Sequence, residues 1–153
     1  MIFIIEGPDG AGKTTLANKF TGYPIKHFKA PEDPIEEAKM FSVYWELLRT
    51  HNNIVIDRAW PSEKVYGPIF REHTFITDEM QLKLEYAFKE KIMYIYCTGD
   101  PAVMWNRAKE RGETFVPDFE TYERICKAYD IEMSPNFHIV PILKYEVFSE
   151  ETL

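Results

Sequence analysis

Residues 7–15 read GPDGAGKTT and follow the apolar run Ile2–Ile5 and Glu6. Gly7, four further residues and then Gly12-Lys13-Thr14 is the spacing of a phosphate-binding P-loop. Each residue type has a physical reason to stand where it does. Gly7, Gly10 and Gly12 allow a close approach of backbone that a Cβ would block. Successive N–H groups, those of Ala11 and Thr15 among them, then point at phosphate oxygens, helped by the positive end of the following helix. Lys13 brings a mobile point charge to the transferring phosphate, and the Thr14 hydroxyl can ligate magnesium. Asp9 is the misfit, a carboxylate in the middle of a loop built for polyanions.

A second stretch, NIVIDRAWPSEKVYG, covers residues 53–67. Asp57 ends an apolar run, and in an open parallel sheet ligands gather at the carboxyl ends of strands. A carboxylate there can hold magnesium or accept the proton of an attacking group. Arg58 follows at once and can grip phosphate with its planar fork. The plainer alternative is a local Asp57–Arg58 ion pair. In the third stretch, DPAVMWNRAKERGE at 100–113, Arg107 and Arg111 are four apart and share one helix face. Two guanidiniums side by side repel unless an anion lies between them, which suits a lid over donor phosphates. A solvated basic face tempered by Glu110 and Glu113 is the alternative. No NKxD guanine motif occurs, so the loop is not that of a GTPase.

The elements that must position these residues alternate. Ile2–Glu6, Asn53–Asp57 and Lys91–Cys97 read as buried strands, Ile25–Lys29 as a short one and His138–Leu143 as the last. Helices are expected over Lys13 to about Phe20, Pro34 to about Arg49, about Glu79 to Lys89 with Asp78 as cap, Pro101–Arg111, and Phe119 to about Met133. On the second helix the apolar stripe is Ile35, Ala38, Phe41, Trp45 and Leu48. Such alternation implies parallel βαβ units, a three-layer α/β fold.

Composition narrows the class. At 153 residues with 45% hydrophobic and 28% charged residues, the chain suits one globular domain. A net charge of −7 argues against broad electrostatic binding to nucleic acid or anionic membrane. Cys97 and Cys126 provide no disulfide framework, and no apolar run is long enough to span a bilayer, so a cytoplasmic protein is expected. Four scattered His and two distant Cys lack metal-ligand spacing. Trp60 and Trp105 are expected in packing roles, and the acidic run Glu146–Glu151 as a solvated end.

Together the three stretches resemble the thymidylate kinase family of nucleoside monophosphate kinases. FIIEGPDGAGKTT matches that family's P-loop almost residue for residue. Asp57-Arg58 with Ser62 and Tyr66 is similar to its DR motif, and DP…R…RGE to its lid. The order agrees over nearly the whole chain, which at 153 residues is shorter than usual for the family; a short phage-type member, at work in a host cytoplasm, is one form the resemblance allows. The resemblance implies a single P-loop kinase domain over 1–153 with a lid around 105–118. It also implies a five-stranded parallel sheet flanked by helices, magnesium-ATP as donor and a deoxynucleoside monophosphate as acceptor. Lys13 and Thr14 would meet the donor phosphates and magnesium, with Asp57 as a second metal ligand. Arg58 would meet the phosphate in flight, and Arg107 and Arg111 the donor. Asp9 would face the acceptor sugar, or else stabilise its own turn. Phe41 falls where the family stacks a Phe on the base, with plain core as its alternative, and Tyr66 carries the same split. A homodimer is left open.

Two departures bear on the acceptor. Where the family carries an Arg-bearing stretch for the acceptor phosphate, this chain has HFKAPED, with Lys29 the nearby cation. Four residues after Phe41, where the family reads the pyrimidine carbonyl with an arginine, stands Trp45, whose one N–H cannot do the same work. Two rivals follow: a kinase of another hydroxyl, such as a nucleoside or a 5-hydroxymethyl base in phage DNA, or a non-catalytic nucleotide-binding regulatory module. Nucleic acid is a partner only in the first of these.

Overall fold

A computed structural model describes residues 1–146, so the acidic run beyond Glu146 lies outside the described residues. The elements in chain order are β1 (Ile2–Glu6), α1 (Lys13–Ala17), β2 (Ile25–His27), α2 (Pro34–Thr50), β3 (Ile54–Asp57), α3 (Trp60–Phe70), α4 (Asp78–Ala87), β4 (Ile92–Thr98), α5 (Pro101–Glu110), α6 (Phe119–Glu132) and β5 (Ile142–Glu146). The five strands form one parallel sheet in the order β2-β3-β1-β4-β5. β1, β3 and β4 are continuous apolar runs because helices cover both faces and leave no side for polar residues. Register pairs Ile5 with Asp57 and Glu6 with Tyr96. The carboxyl ends of β1 and β3 therefore lie side by side at the centre of the sheet, where the chain turns to opposite sides and a crevice opens.

Four elements differ from expectation, each for a local reason. The last strand begins at Ile142 because Pro141 has no N–H to give; its carbonyl instead accepts from the Tyr94 N–H at 3.0 Å. A 3₁₀ turn at Pro135–Phe137 occupies the ground before it. Helix α3 had no sequence signal strong enough to outweigh Gly67 and Pro68, yet Pro61 sits in its first turn, where no N–H is missed. The N-cap of α4 is Thr77, whose hydroxyl accepts from Met80 N at 3.1 Å, and not Asp78. On α2 the residues turned into the fold are Met40, Tyr44 and Leu48; Leu48 is as expected, but Met40 and Tyr44 stand one step out of phase with Phe41 and Trp45, and Ile35 is exposed. Trp60 and Trp105 are both buried and packed against other rings. Among the described residues no helix is long and apolar enough to cross a membrane.

The core is not wholly apolar. Trp60 Nε1 donates to Tyr94 Oη at 2.8 Å, and Tyr94 donates to Glu85 Oε2 at 2.7 Å. Glu85 also accepts from Ile139 N at 2.8 Å and faces His138 Nδ1 at 2.7 Å, while His138 Nε2 lies 2.6 Å from the Glu132 carbonyl. Both ring nitrogens thus face acceptors, and only the imidazolium can donate to both. Burial opposes that charge, but the bonds to Glu85 and the Glu132 carbonyl, with the two carboxylates behind them, outweigh it and raise the pKa of His138 above its ordinary 6.5. A raised histidine stabilises the fold fully below the unfolded value, and that contribution fades as pH climbs through the folded one. His138→Gln should therefore cost about 1–3 kcal/mol at about pH 6 and distinctly less at about pH 9, measured by urea denaturation. An equal cost at both would show that the histidine is neutral in the fold.

Candidate active site

The P-loop folds as its spacing requires. Gly12 caps α1 in the left-handed region, with φ +84°. Gly7 and Gly10 are needed for clearance as well, since a Cβ on either would run into the carbonyl oxygen of Cys97 or of Met104. Lys13 is buried, and its Nζ donates to the Pro8 carbonyl at 2.9 Å. Burial, then the charge of Arg58, pulls its pKa down to about 8 against the attraction of Asp9 and Asp57. An incoming phosphate would exchange that neutral carbonyl for a charged acceptor.

Asp9 finds its partner in Arg58. Arg58 Nη2 donates to Asp9 Oδ1 at 2.7 Å and to the Gly7 carbonyl at 3.2 Å, and its guanidinium carbon lies 5.3 Å from the Tyr66 ring centre. The main chain of Asp9 is fixed separately, its carbonyl accepting from the Tyr122 hydroxyl. Asp57 makes no ion pair with Arg58; its Oδ2 faces His27 Nδ1 at 3.2 Å. Asp57 Oδ1 is buried with no hydrogen-bond partner, a costly state for a carboxylate oxygen unless a cation or water fills it. With the Thr14 hydroxyl it makes a small set of hard oxygen donors, which suits magnesium, an ion that completes its shell with water and substrate phosphate. Among the described residues no group of three or more His, Cys, Asp or Glu gathers as a cage of its own.

Two cavities meet at Arg58. One, of about 370 Å³, is lined by Asp9, Gly10, Gly12, Lys13, Thr14 and Thr15 together with Asp57, Arg58 and Arg111. The other, of about 200 Å³, is walled by Phe28, Met40, Tyr44, Tyr66, Phe75 and Phe115, with Lys29, Arg58, Ser62, Glu63 and Arg71 supplying polar atoms. Phe28 and Arg58 belong to both. Gly7 and Ala11 stand behind the loop, Ala11 fully buried. Arg111, the C-cap of α5, lies 3.8 Å from Glu113 in the first cavity, whereas Arg107 lines neither.

Phe41 and Trp45 are not brought to this centre. The phase of α2 that turns Met40 and Tyr44 inward carries Phe41 and Trp45 outward into a groove against α4, with Leu82 and Tyr86 on its far wall. Phe28, Phe75 and the Glu63–Arg71 ion pair stand in the second cavity instead, and none was singled out from sequence. Phe28 had a usable signal, since it follows β2 directly at the carboxyl edge of the sheet.

This sheet order with a P-loop after its central strand defines the P-loop kinase fold. No family model matches the chain. It is 30% identical over 118 residues, 75% of its length and 72% of the relative's, to the SPbeta prophage-derived uncharacterized protein YorR of Bacillus subtilis strain 168. Over 92 residues, 53% of this chain and 59% of the relative, it is 32% identical to a protein of Acidianus bottle-shaped virus provisionally described as a thymidylate kinase. The crystal structure of YorR in complex with phosphorylated GDP superposes with a TM-score of 0.81 at 24% identity, covering 95% of this chain and 85% of that one. Deoxyadenosine kinase from M. mycoides, with products dCMP and a flexible dCDP bound, gives 0.63 at 21% identity over 95% and 90% of the two chains. The chain belongs to the same family as YorR, and its fold is that of the P-loop kinases.

If the orphaned Asp57 oxygen is a magnesium contact, Asp57→Asn should weaken ATP binding about tenfold or more when magnesium is present. Binding in EDTA should be little changed. Calorimetric titration of ATP under both conditions checks this, and equal losses would assign Asp57 to something other than the metal.

Proposed function

We propose that the protein transfers the γ-phosphate of magnesium-ATP to a (deoxy)nucleoside monophosphate, with a thymidylate-like acceptor favoured by the family. The observation that carries this reading is the placement of Arg58 in the wall shared by the two cavities. The larger, with Lys13, Thr14 and the P-loop amides, has the chemistry of a donor phosphate site. The smaller, walled by aromatic rings and sized for a single small molecule, suits a nucleoside moiety. Phosphoryl transfer needs little covalent help from the protein, so the work is alignment and charge neutralisation. Lys13 and Arg111 would neutralise the donor and Arg58 the group passing between the cavities. Bound magnesium would supply further neutralisation of the phosphate oxygens. Asp57, at the end of β3, is also the carboxylate available to take the acceptor proton. The segment 105–118 serves as lid, because it contributes Arg111 to one cavity and Phe115 to the other.

A second reading, a nucleoside acceptor, has its own support. Of the cations lining the smaller cavity, Arg58 is held by Asp9 and Arg71 by Glu63, which leaves Lys29 to meet an acceptor phosphate. Lysine binds phosphate with less direction than arginine.

The deciding experiment incubates magnesium-ATP with nucleosides, nucleoside monophosphates and hydroxymethylated DNA, scoring ADP and product mass. Monophosphates should react best. Products from nucleosides alone would move the assignment to the second reading, and ATP binding without any product would favour the regulatory module. Lys13→Ala should cost about 3 kcal/mol or more in transition-state stabilisation, by analogy with removing one preorganised donor, while the fold survives. Turnover like that of the parent enzyme in this variant would sink the assignment.

A further inference from the structure

Glu6 ends β1, one residue before the P-loop, and its side chain is fully buried. It lines neither cavity, so the proposed reaction has given it no role. Both of its oxygens are nonetheless committed. Oε1 accepts from the Ala59 N–H at 2.7 Å and Oε2 from the Ser62 hydroxyl. Ala59 is the N-cap of α3 and Ser62 stands in its first turn, so the carboxylate sits at the end of the helix where negative charge is favoured. The Ser62 hydroxyl also lies 2.6 Å from Tyr129 Oη, and the Tyr129 ring packs edge-on against Tyr66 at 6.0 Å.

The residue before Ala59 is Arg58, and its backbone is strained. Its φ of +67° lies in the left-handed region, which strains a residue with a Cβ, and it stays there only if its surroundings hold it. Two hydrogen bonds from backbone N–H groups do the holding, one to a carbonyl and one to a side chain. Arg58 N donates to the Ile5 carbonyl at 2.9 Å, and Ala59 N donates to Glu6. Both acceptors are the last residues of β1, so the strand that launches the P-loop also fixes the turn that launches the arginine.

We propose that Glu6 is a positioning residue for phosphoryl transfer, clamping the Arg58–Ser62 turn so that the Arg58 guanidinium stands in the wall between the two cavities. The inference rests on the phosphotransfer reading above. Burial pushes the Glu6 carboxyl up to about 7 even though Ser62, Ala59, Arg58 and Lys13 all pull it down, so the fold maintains an expensive buried acid at this spot. A leucine there would fill the space but strand the Ala59 N–H and leave the Ser62 hydroxyl with Tyr129 alone. The turn could then relax toward ordinary backbone angles and carry Arg58 off the wall. Glutamine keeps the shape and can still serve both groups.

Two measurements test this in Glu6→Leu and Glu6→Gln. In nucleotide-free protein, the side-chain N–H resonances of Arg58 should shift in Glu6→Leu and stay close to the parent in Glu6→Gln. Unaltered signals in Glu6→Leu would overturn the proposal, whether or not the protein turns over any nucleotide. In the kinase assay Glu6→Leu should lower kcat about tenfold or more with the KM for ATP changed less than about threefold, and Glu6→Gln should recover most of it. Because the effect runs through Arg58, adding Glu6→Leu to Arg58→Ala should cost less than about a further twofold. A full additive loss in that background would make Glu6 a stabilising core residue and nothing more. If the parent protein phosphorylates no acceptor, the phosphotransfer reading falls while the resonance test still decides the clamp. Should circular dichroism show Glu6→Leu unfolded, Ser62→Ala removes one arm of the clamp and carries the same measurements with the same expected signs.

Discussion

The Asp9–Arg58 ion pair is the interaction on which the arrangement of the site depends. It joins the P-loop to the turn after β3, two segments separated by the whole first half of the sheet's construction. The pair forms because parallel register sets the ends of β1 and β3 beside one another, Ile5 opposite Asp57. The carboxylate in the loop is then no anomaly. It orients the guanidinium from below, leaving the loop amides and Lys13 to face a polyanion. An arginine released from this contact would have a long side chain's rotamer freedom to lose each time substrate bound.

Much of this was legible before the fold was known, because it rests on local chemistry. The P-loop needs consecutive residues only, so GPDGAGKTT announces itself. The buried strands are continuous apolar runs bounded by turns, and β1, β3 and β4 fall within a residue or so of where periodicity puts them. The five-stranded parallel sheet follows from their alternation with helices. The acceptor side was less readable, and α2 shows why. Two four-residue series run along that helix, Phe41–Trp45 and Met40–Tyr44, both apolar enough to face inward. Composition cannot choose between them, but the packing of Phe28 against Tyr44 at 5.0 Å and of Tyr44 against Trp60 at 5.2 Å does. Phe41 and Trp45 then go to the outer groove by a rotation of one residue.

Glu6 and the Glu63–Arg71 pair were hidden for a different reason. Their partners lie far along the chain or at the far end of a helix that two prolines and a glycine had masked. A glutamate at the end of an apolar strand carries no signal of what it will meet. Only once α3 is placed does its first turn become the natural seat for that carboxylate.

The electrostatics of the cleft bear on how a chain of net charge −7 could hold the polyphosphate of the proposed reaction. The larger cavity holds three basic side chains, Lys13, Arg58 and Arg111, against three carboxylates, Asp9, Asp57 and Glu113. Lys13 rests on the Pro8 carbonyl, Arg58 on Asp9 and Arg111 near Glu113, so each cation has an internal contact. Binding is therefore an exchange of partners, and the field of the site alone does not neutralise a triphosphate. A divalent cation carried in on the nucleotide and held at the orphaned oxygen of Asp57 would tip that balance. Charges exchanged at such short range inside a half-closed cleft are screened less by salt than exposed pairs, so affinity of this kind tolerates ionic strength better than a basic surface patch would.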